Sequence, residues 1–212
     1  MQVVVVESPA KAKTINKYLG NDFIVLASYG HVRDLPPKDG SVDPDDDFTM
    51  KWEVQGGADK RLKDIAAALK TADGLVLATD PDREGEAIAY HLKEALELVD
   101  EPKRIKFNEI TPAAVLNAVN NPEKIDIGKF KSYEARRTLD RMIGYEISPK
   151  VRDLGGAFIS TGRVQGPAIR LIVEREEERI KFVTSQYFDI TTVCIGKNVQ
   201  FEASLKKVQD KR

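Results

Sequence analysis

A chain of 212 residues, 42% hydrophobic and 32% charged, has the make-up of an ordinary soluble globular protein with room for one sizeable core and a smaller second unit. That composition excludes intrinsic disorder, the lone Cys194 excludes an internal disulfide or a cysteine zinc cluster, and no apolar run reaches membrane-spanning length. The formal net charge of -1 argues only weakly against a nucleic-acid partner, because the signs are segregated: Lys129 to Arg170 holds nine Lys/Arg against four Asp/Glu, and Asp39 to Asp47 holds five aspartates.

Met1-Gln-Val-Val-Val-Val is too short for a secretory leader, and with a single cysteine this leads us to expect a cytoplasmic protein. Val3 to Val6 is a β-branched run ending in Glu7-Ser-Pro, and Ala10 to Leu19 follows at helical spacing, closed by Gly20. Phe23 to Ala27 predicts a second strand, after which Gly30-His31-Val-Arg-Asp-Leu-Pro-Pro opens a long polar connection to about Gln55. Asp59 to Leu69 predicts a helix, Gly74 to Thr79 a buried strand, Gly85 to Leu96 a helix, and Arg104 to Phe107 a fourth short strand. Strands alternating with helices imply an α/β fold whose mostly parallel sheet carries helices on both faces.

After Thr111-Pro112, which caps and begins another helix, the pattern becomes helical without intervening strands. Ser132 to Tyr145 predicts one helix. Gly166-Pro167 begins another that runs to Lys181, with Val164, Ala168, Leu171, Ile172 and Val173 on or near its apolar side. Tyr187 to Ile195 and Val199 to Leu205 read as a hairpin around Gly196-Lys-Asn198. A lone hairpin is marginal in water, so these strands are expected to belong to a larger sheet.

Asp80-Pro-Asp82-Arg-Glu84-Gly-Glu86 packs four carboxylates into seven residues directly after a strand. In an open parallel sheet ligands bind outside the carboxyl ends of the strands, and Glu7 also closes a strand. If the two strands are neighbours, Glu7, Asp80, Asp82 and Glu84 converge, and carboxylates held that closely call for a hard cation such as Mg²⁺. The plainer alternative is a solvated acidic turn capping the helix that starts near Glu84. An Asp-x-Asp by itself serves either purpose equally; the strand-terminal Glu7 and the added Glu84 favour the metal.

Arg137, Arg141 and Tyr145 are spaced by four and share a helix face, which suits phosphates plus a stacked base of single-stranded DNA. By pattern alone, a surface helix with Arg136 and Asp140 pairing at i,i+4 explains the same residues better. Ser160-Thr-Gly-Arg-Val-Gln165 precedes Pro167, which puts hydroxyls, Arg163 and free helix N–H groups at one helix start, a ready anion site, where a plain turn is the alternative. A lone loop histidine such as His31 is more often structural, Lys11 reads as an exposed surface lysine, and His91 reads as a partly buried helix residue.

Five stretches in order resemble the bacterial type IA DNA topoisomerase I family: Glu7-Ser-Pro-Ala-Lys-Ala-Lys-Thr-Ile, Gly30-His31-Val-Arg-Asp-Leu-Pro, Ala78-Thr-Asp-Pro-Asp-Arg-Glu-Gly-Glu-Ala-Ile-Ala, Phe107-Asn-Glu-Ile-Thr and Ser160-Thr-Gly-Arg-Val-Gln165. The resemblance covers essentially the whole chain. It implies a Rossmann-like Toprim metal-binding domain over residues 1–120, a helical single-strand DNA-binding domain over 121–183, and the first strands of a β arch over 184–212.

The activity so implied is relaxation of negatively supercoiled DNA by transient single-strand breakage and Mg²⁺-dependent, ATP-independent religation, with DNA as partner, no membrane, and a monomeric enzyme. By resemblance Glu7 and Lys11 are catalytic, and Glu7, Asp80, Asp82 and Glu84 hold Mg²⁺. His31, Arg83, Arg136, Arg137, Asp140, Arg141, Tyr145, Arg152, Ser160, Thr161, Gly162, Arg163, Val164 and Gln165 contact DNA, although the family commonly has an aromatic residue in place of Arg152. The family's nucleophile is a tyrosine in a Tyr-x-Arg-Thr-type context, and none of the six tyrosines here has that setting, so the 212 residues alone are expected not to cleave DNA. A Mg²⁺- and DNA-binding Toprim module of the primase or recombination-mediator type is the alternative. It shares the Glu and Asp-x-Asp site but not the Ser-Thr-Gly-Arg-Val-Gln segment or the Arg-Arg helix.

Overall fold

A computed structural model describes residues 1–38, 40–155, 159–186, 188–197 and 199–205, which form two compact units, Met1–Gln165 and Gly166–Arg212. In chain order the first holds β1 (Gln2–Val6), α1 (Pro9–Leu19), β2 (Phe23–Ala27), β3 (Arg33–Asp34), β4 (Val42–Asp43), β5 (Thr49–Met50), β6 (Glu53–Val54), α2 (Ala58–Leu69), β7 (Leu75–Leu77), α3 (Arg83–Ala95), β8 (Lys103–Arg104), α4 (Pro112–Asn120), α5 (Ile127–Met142) and α6 (Ser148–Gly155).

The all-valine run of β1 exists because both faces of this strand are covered, so no alternation with polar residues is possible. Val3 and Val5 pack with Leu75 and Leu77 against Leu62 and Ile65 of α2 and Ile88 and Leu92 of α3. Val4 and Val6 point the other way, onto Ile15 and Leu19 of α1 and Val115 and Ala118 of α4. The sheet order is β2-β1-β7-β8, every pair parallel, with Val3 opposite both Ile24 and Leu75. β1, just before Glu7, and β7, shortly before Asp80, are therefore the adjacent central pair, the condition on which the two acids could meet.

Local chemistry sets the helix starts. Ser8, Asp82, Thr111 and Asp126 each turn a side-chain oxygen back to accept a backbone N–H three residues on, at 2.8 to 3.3 Å, opening α1, α3, α4 and α5. The Asp126 cap corrects one expectation: the helix anticipated from Ser132 begins at Ile127, and it closes at Met142 into a π-helical turn, Ile143–Ile147, that carries Tyr145 and leads into α6. The polar connection after Gly30 is also more ordered than anticipated, since β3 pairs with β6 and β4 with β5 in two short antiparallel ladders. The fourth strand is shorter than Arg104 to Phe107, because only Lys103–Arg104 pair with β7 before the chain leaves through the Ile105 amide to the Leu77 carbonyl, 2.9 Å.

In the second unit, α7 (Gln165–Lys181) carries surface ion pairs such as Arg170–Glu174 at 2.6 Å, while Leu171 and Ile172 are exposed. β9 (Thr191–Ile195) and β10 (Gln200–Ser204) form the anticipated antiparallel hairpin, Cys194 facing Phe201. Tyr187 at the anticipated start of the first strand, Asn198 in its turn, Asp39 of the acidic run and residues 206–212 lie outside the described residues. Among the described residues no helix is long and apolar enough to cross a membrane.

Candidate active site

Parallel pairing of β1 with β7 sets Glu7 and Asp80 side by side at the carboxyl edge of the sheet. The Asp80 amide donates to Glu7 Oε1 at 2.8 Å, so the carboxylate takes over where the strand ladder stops. Lys11, one turn into α1, reaches both acids: its Nζ lies 2.5 Å from Asp80 Oδ1 and 3.5 Å from Glu7 Oε2. Lys11, a surface lysine by residue pattern and a site residue by family resemblance, stands between the two acids. Burial pushes the Glu7 carboxyl above the ordinary glutamate value, and the Asp80 charge adds to this against the opposing Asp80 amide and Lys11. Burial disfavours the Lys11 ammonium, but its bonds to Asp80 and Glu7 outweigh that and raise its pKa.

The expected convergence of four carboxylates is met only in part. Asp82 is the N-cap of α3, its Oδ1 accepting from Gly85 N at 2.8 Å, which is the capping role that sequence offered as the alternative. Glu84 turns to the other side, with its carboxylate 2.9 Å from Arg136 Nη1 and 3.4 Å from His31 Nε2. Among the described residues no three His, Cys, Asp or Glu side chains stand together as a metal cage. In donor type Glu7 and Asp80 suit a hard divalent cation, being carboxylates at a strand edge, and the Lys11 ammonium now stands between them as their counter-charge.

Arg104, and Glu86 from the acidic run, hold this edge in place. Arg104 is fully buried, and its guanidinium donates to the carbonyls of Leu77, Thr79, Asp80 and Ile105 and, through Nε, to Glu86 Oε1 at 3.2 Å. Glu86 is buried too; its other oxygen accepts from the Asp126 amide at 3.1 Å, and Lys106 Nζ lies 3.2 Å from Oε1. A glutamate inside Gly-Glu-Ala-Ile-Ala and an arginine opening a strand were the available signals, since opposite charges in two buried segments call for each other. Lys129, on the first turn of α5, donates to the Pro81 carbonyl at 2.7 Å and ties the acidic loop to that helix.

The candidate nucleic-acid residues gather on the Glu84 side. The His31 ring stacks on Tyr133 of α5 with centroids 5.4 Å apart, and a small cavity is lined by His31, Asp34, Glu84, Tyr133, Arg136, Arg137 and Asp140. Arg137 pairs with Asp34. Arg141 donates to the Leu35 carbonyl at 2.6 Å and to the Tyr145 hydroxyl at 3.2 Å, its guanidinium 5.6 Å from that ring. The shared face predicted for Arg137, Arg141 and Tyr145 is present, but it is satisfied by protein partners. Arg136 sits 3.8 Å from Asp140 Oδ2, the i,i+4 pair that the pattern also allowed, while Asp140 Oδ1 accepts from Arg163 Nε at 2.8 Å.

That last bond brings the Ser160–Gln165 segment to α5. Within it the Thr161 amide donates to Ser148 Oγ at 3.1 Å and the Thr161 carbonyl accepts from the same hydroxyl at 3.0 Å. Ser160 is exposed beside Thr161, Gly162 follows, Val164 is exposed, and Gln165 opens α7. Arg83 is exposed at the start of α3, and Arg152 is exposed on α6. His91 is buried rather than partly buried, packed 4.4 Å from Trp52 and 5.6 Å from Phe130 by ring centroid.

Residues 2–110 match the Toprim domain family and residues 124–212 match the DNA topoisomerase family. DNA topoisomerase 1 of Xylella fastidiosa is 49% identical over 215 residues, a span covering 99% of this chain and 26% of that protein. DNA topoisomerase 1 of Rickettsia felis is 47% identical over 220 residues, covering 100% and 28%. The full-length topoisomerase I of Thermotoga maritima, in a monoclinic crystal form, superposes with a TM-score of 0.81 at 40% identity, covering 97% of this chain and 35% of that one. The chain spans about a quarter of the length of the curated relatives it matches.

Proposed function

The chain belongs to the Toprim domain family and corresponds to the N-terminal region of bacterial DNA topoisomerase I, and from that premise we propose that it supplies the metal and strand-gripping part of a type IA enzyme. In this reading the whole enzyme relaxes negatively supercoiled DNA by transient single-strand breakage and religation, needing Mg²⁺ and no ATP. It works as a cytoplasmic monomer, with residues 1–120 as the metal domain, 121–183 as the single-strand groove and 184–212 as the start of the arch.

The observation that carries the proposal is the Glu7–Asp80–Lys11 junction at the ends of two central strands. Glu7, Asp80, Asp82 and Glu84 are the residues that would hold Mg²⁺, and the ion's contribution is to neutralise charge on the phosphodiester oxygens. Lys11 offers a cation to the same phosphate. Glu7 would pass a proton from its carboxyl to the 3′ oxygen as that phosphorus–oxygen bond gives way to the bond with the family's tyrosine. His31, Arg83, Arg136, Arg137, Asp140, Arg141, Tyr145, Arg152 and the Ser160–Gln165 segment would line the path of a single strand, with phosphates met by guanidiniums and a base by the Tyr145 ring.

No tyrosine among the 212 residues has the Tyr-x-Arg-Thr context of the family's nucleophile, so these residues by themselves do not cleave. Plasmid relaxation tests the proposal. The whole enzyme should relax negatively supercoiled DNA with Mg²⁺ and without ATP, lose that activity in an Asp80→Ala, Asp82→Ala double variant, and show none from the 212 residues alone. Relaxation by the 212 residues, or by the double variant at the normal rate, would overturn it.

A further inference from the structure

Resting on that reading, we propose that Arg104 is a positioning residue for the metal-side carboxylate: its buried guanidinium fastens the backbone around Asp80, and divalent-cation affinity depends on that fastening. Both polar atoms of the Asp80 backbone are committed. The amide donates to Glu7 Oε1 at 2.8 Å, and the carbonyl accepts from Arg104 Nη2 at 2.7 Å. The side chain, whose Oδ1 lies 2.5 Å from Lys11 Nζ, takes its direction from a residue whose two flanking peptide groups are both held.

The same guanidinium gathers the chain on either side. Nη1 reaches the carbonyls of Thr79 at 2.8 Å, Leu77 at 3.2 Å and Ile105 at 2.7 Å, and Nε reaches Glu86 Oε1 of α3. Arg104 is itself fixed by a backbone bridge to Glu123, its amide donating at 3.0 Å and its carbonyl accepting at 2.7 Å. From the α3 side the loop is pressed closely: a Cβ on Gly85 would lie 2.1 Å from the Asp80 carbonyl oxygen. The Thr79 hydroxyl donates to the Gly85 carbonyl at 2.6 Å and closes the turn.

A strand end needs no charge to satisfy its carbonyls. Water or a backbone amide serves, and burying a guanidinium with its counter-ion is costly. What the guanidinium adds is a planar fork of donors that can span Thr79, Asp80 and Glu86 at once, which the single ammonium of a lysine cannot. Groups of this kind behind metal-binding carboxylates typically change metal affinity by about 10- to 100-fold when removed.

The test uses Arg104→Lys and Arg104→Gln in the 212-residue chain, with the Mg²⁺ dissociation constant read by calorimetry at a temperature where near-UV circular dichroism shows each variant folded. Thermal unfolding without metal is measured alongside. The expected result is a dissociation constant raised about 10- to 100-fold in Arg104→Lys, with Arg104→Gln at least as weak. A lowered unfolding temperature with an unchanged dissociation constant, or failure of both variants to fold, would overturn the proposal and leave Arg104 a framework residue. Absence of Mg²⁺ binding by the unsubstituted chain would instead overturn the metal assignment on which it rests.

Discussion

The Asp80 amide donates to Glu7 Oε1 across 2.8 Å, so a carboxylate joins the ends of two adjacent parallel strands. Glu7→Gln keeps an acceptor oxygen there and Glu7→Ala does not. Urea unfolding should place the glutamine variant within about 0.5 kcal/mol of the parent, and the alanine variant about 1 kcal/mol below it. Equal losses in the two would mean that the amide contact contributes nothing to stability.

Gly85 carries a second prediction, in which two effects oppose each other. Glycine to alanine in a helix normally gains about 0.5–1 kcal/mol. Here the new methyl would meet the Asp80 carbonyl oxygen at 2.1 Å and the Asp80 amide nitrogen at 2.7 Å, both backbone, so the loop must shift. Strain of that kind costs about 1–3 kcal/mol and wins. Gly85→Ala should therefore unfold at lower urea concentration than the parent, and a gain in stability would refute the close approach.

His91 predicts a pH dependence. Burial first, and then the charge of Arg33, push its pKa down to about 3 from an ordinary value of 6.5. A depressed folded pKa means that the stability is fully present above pH 6.5 and lost as pH falls toward 3, because the unfolded chain takes up the proton first. Between pH 7 and pH 5 this amounts to about 2 kcal/mol. His91→Phe should lack that component, so the difference between the two proteins in urea unfolding should change by that amount over the interval. A constant difference would count against the buried neutral imidazole.

The sheet and its acidic edge were legible because their signals are local. A run of four valines, a glycine after α1 and an acidic turn directly after an apolar run each act within a few residues of where they stand. Arg104 and Glu86 were not legible as a pair, since they are 18 residues apart in sequence, one on β8 and the other on α3. The early start of α5 was within reach, for Asp126 before Ile127 is an ordinary cap. The division of the four acids was not, because whether Asp82 faces a metal or caps α3 depends on backbone direction, and whether Glu84 joins Asp80 or Arg136 depends on where α5 packs. Residue pattern alone makes Lys11 a surface lysine four residues from Glu7, and only the family resemblance set it at the site, because Asp80 arrives from another strand.

On α5, Arg137 and Arg141 should differ as DNA contacts. Arg137 is paired with the Asp34 carboxylate, whereas Arg141 is held by neutral acceptors, the Leu35 carbonyl and Tyr145, and keeps its full charge for a phosphate. Binding to a single-stranded oligonucleotide, followed by fluorescence anisotropy across a salt series, should lose roughly 0.7 from the slope of log K against log salt in Arg141→Ala. Arg137→Ala should lose less. Salt-insensitive binding, or equal slopes in all three proteins, would remove this face from the interface.

Direct titration decides whether the carboxyl ends of β1 and β7 hold Mg²⁺. Calorimetry of the 212-residue chain with MgCl₂ should show saturable binding that disappears in an Asp80→Ala, Asp82→Ala double variant whose circular dichroism matches the parent. Binding of undiminished affinity in that variant would contradict the assignment.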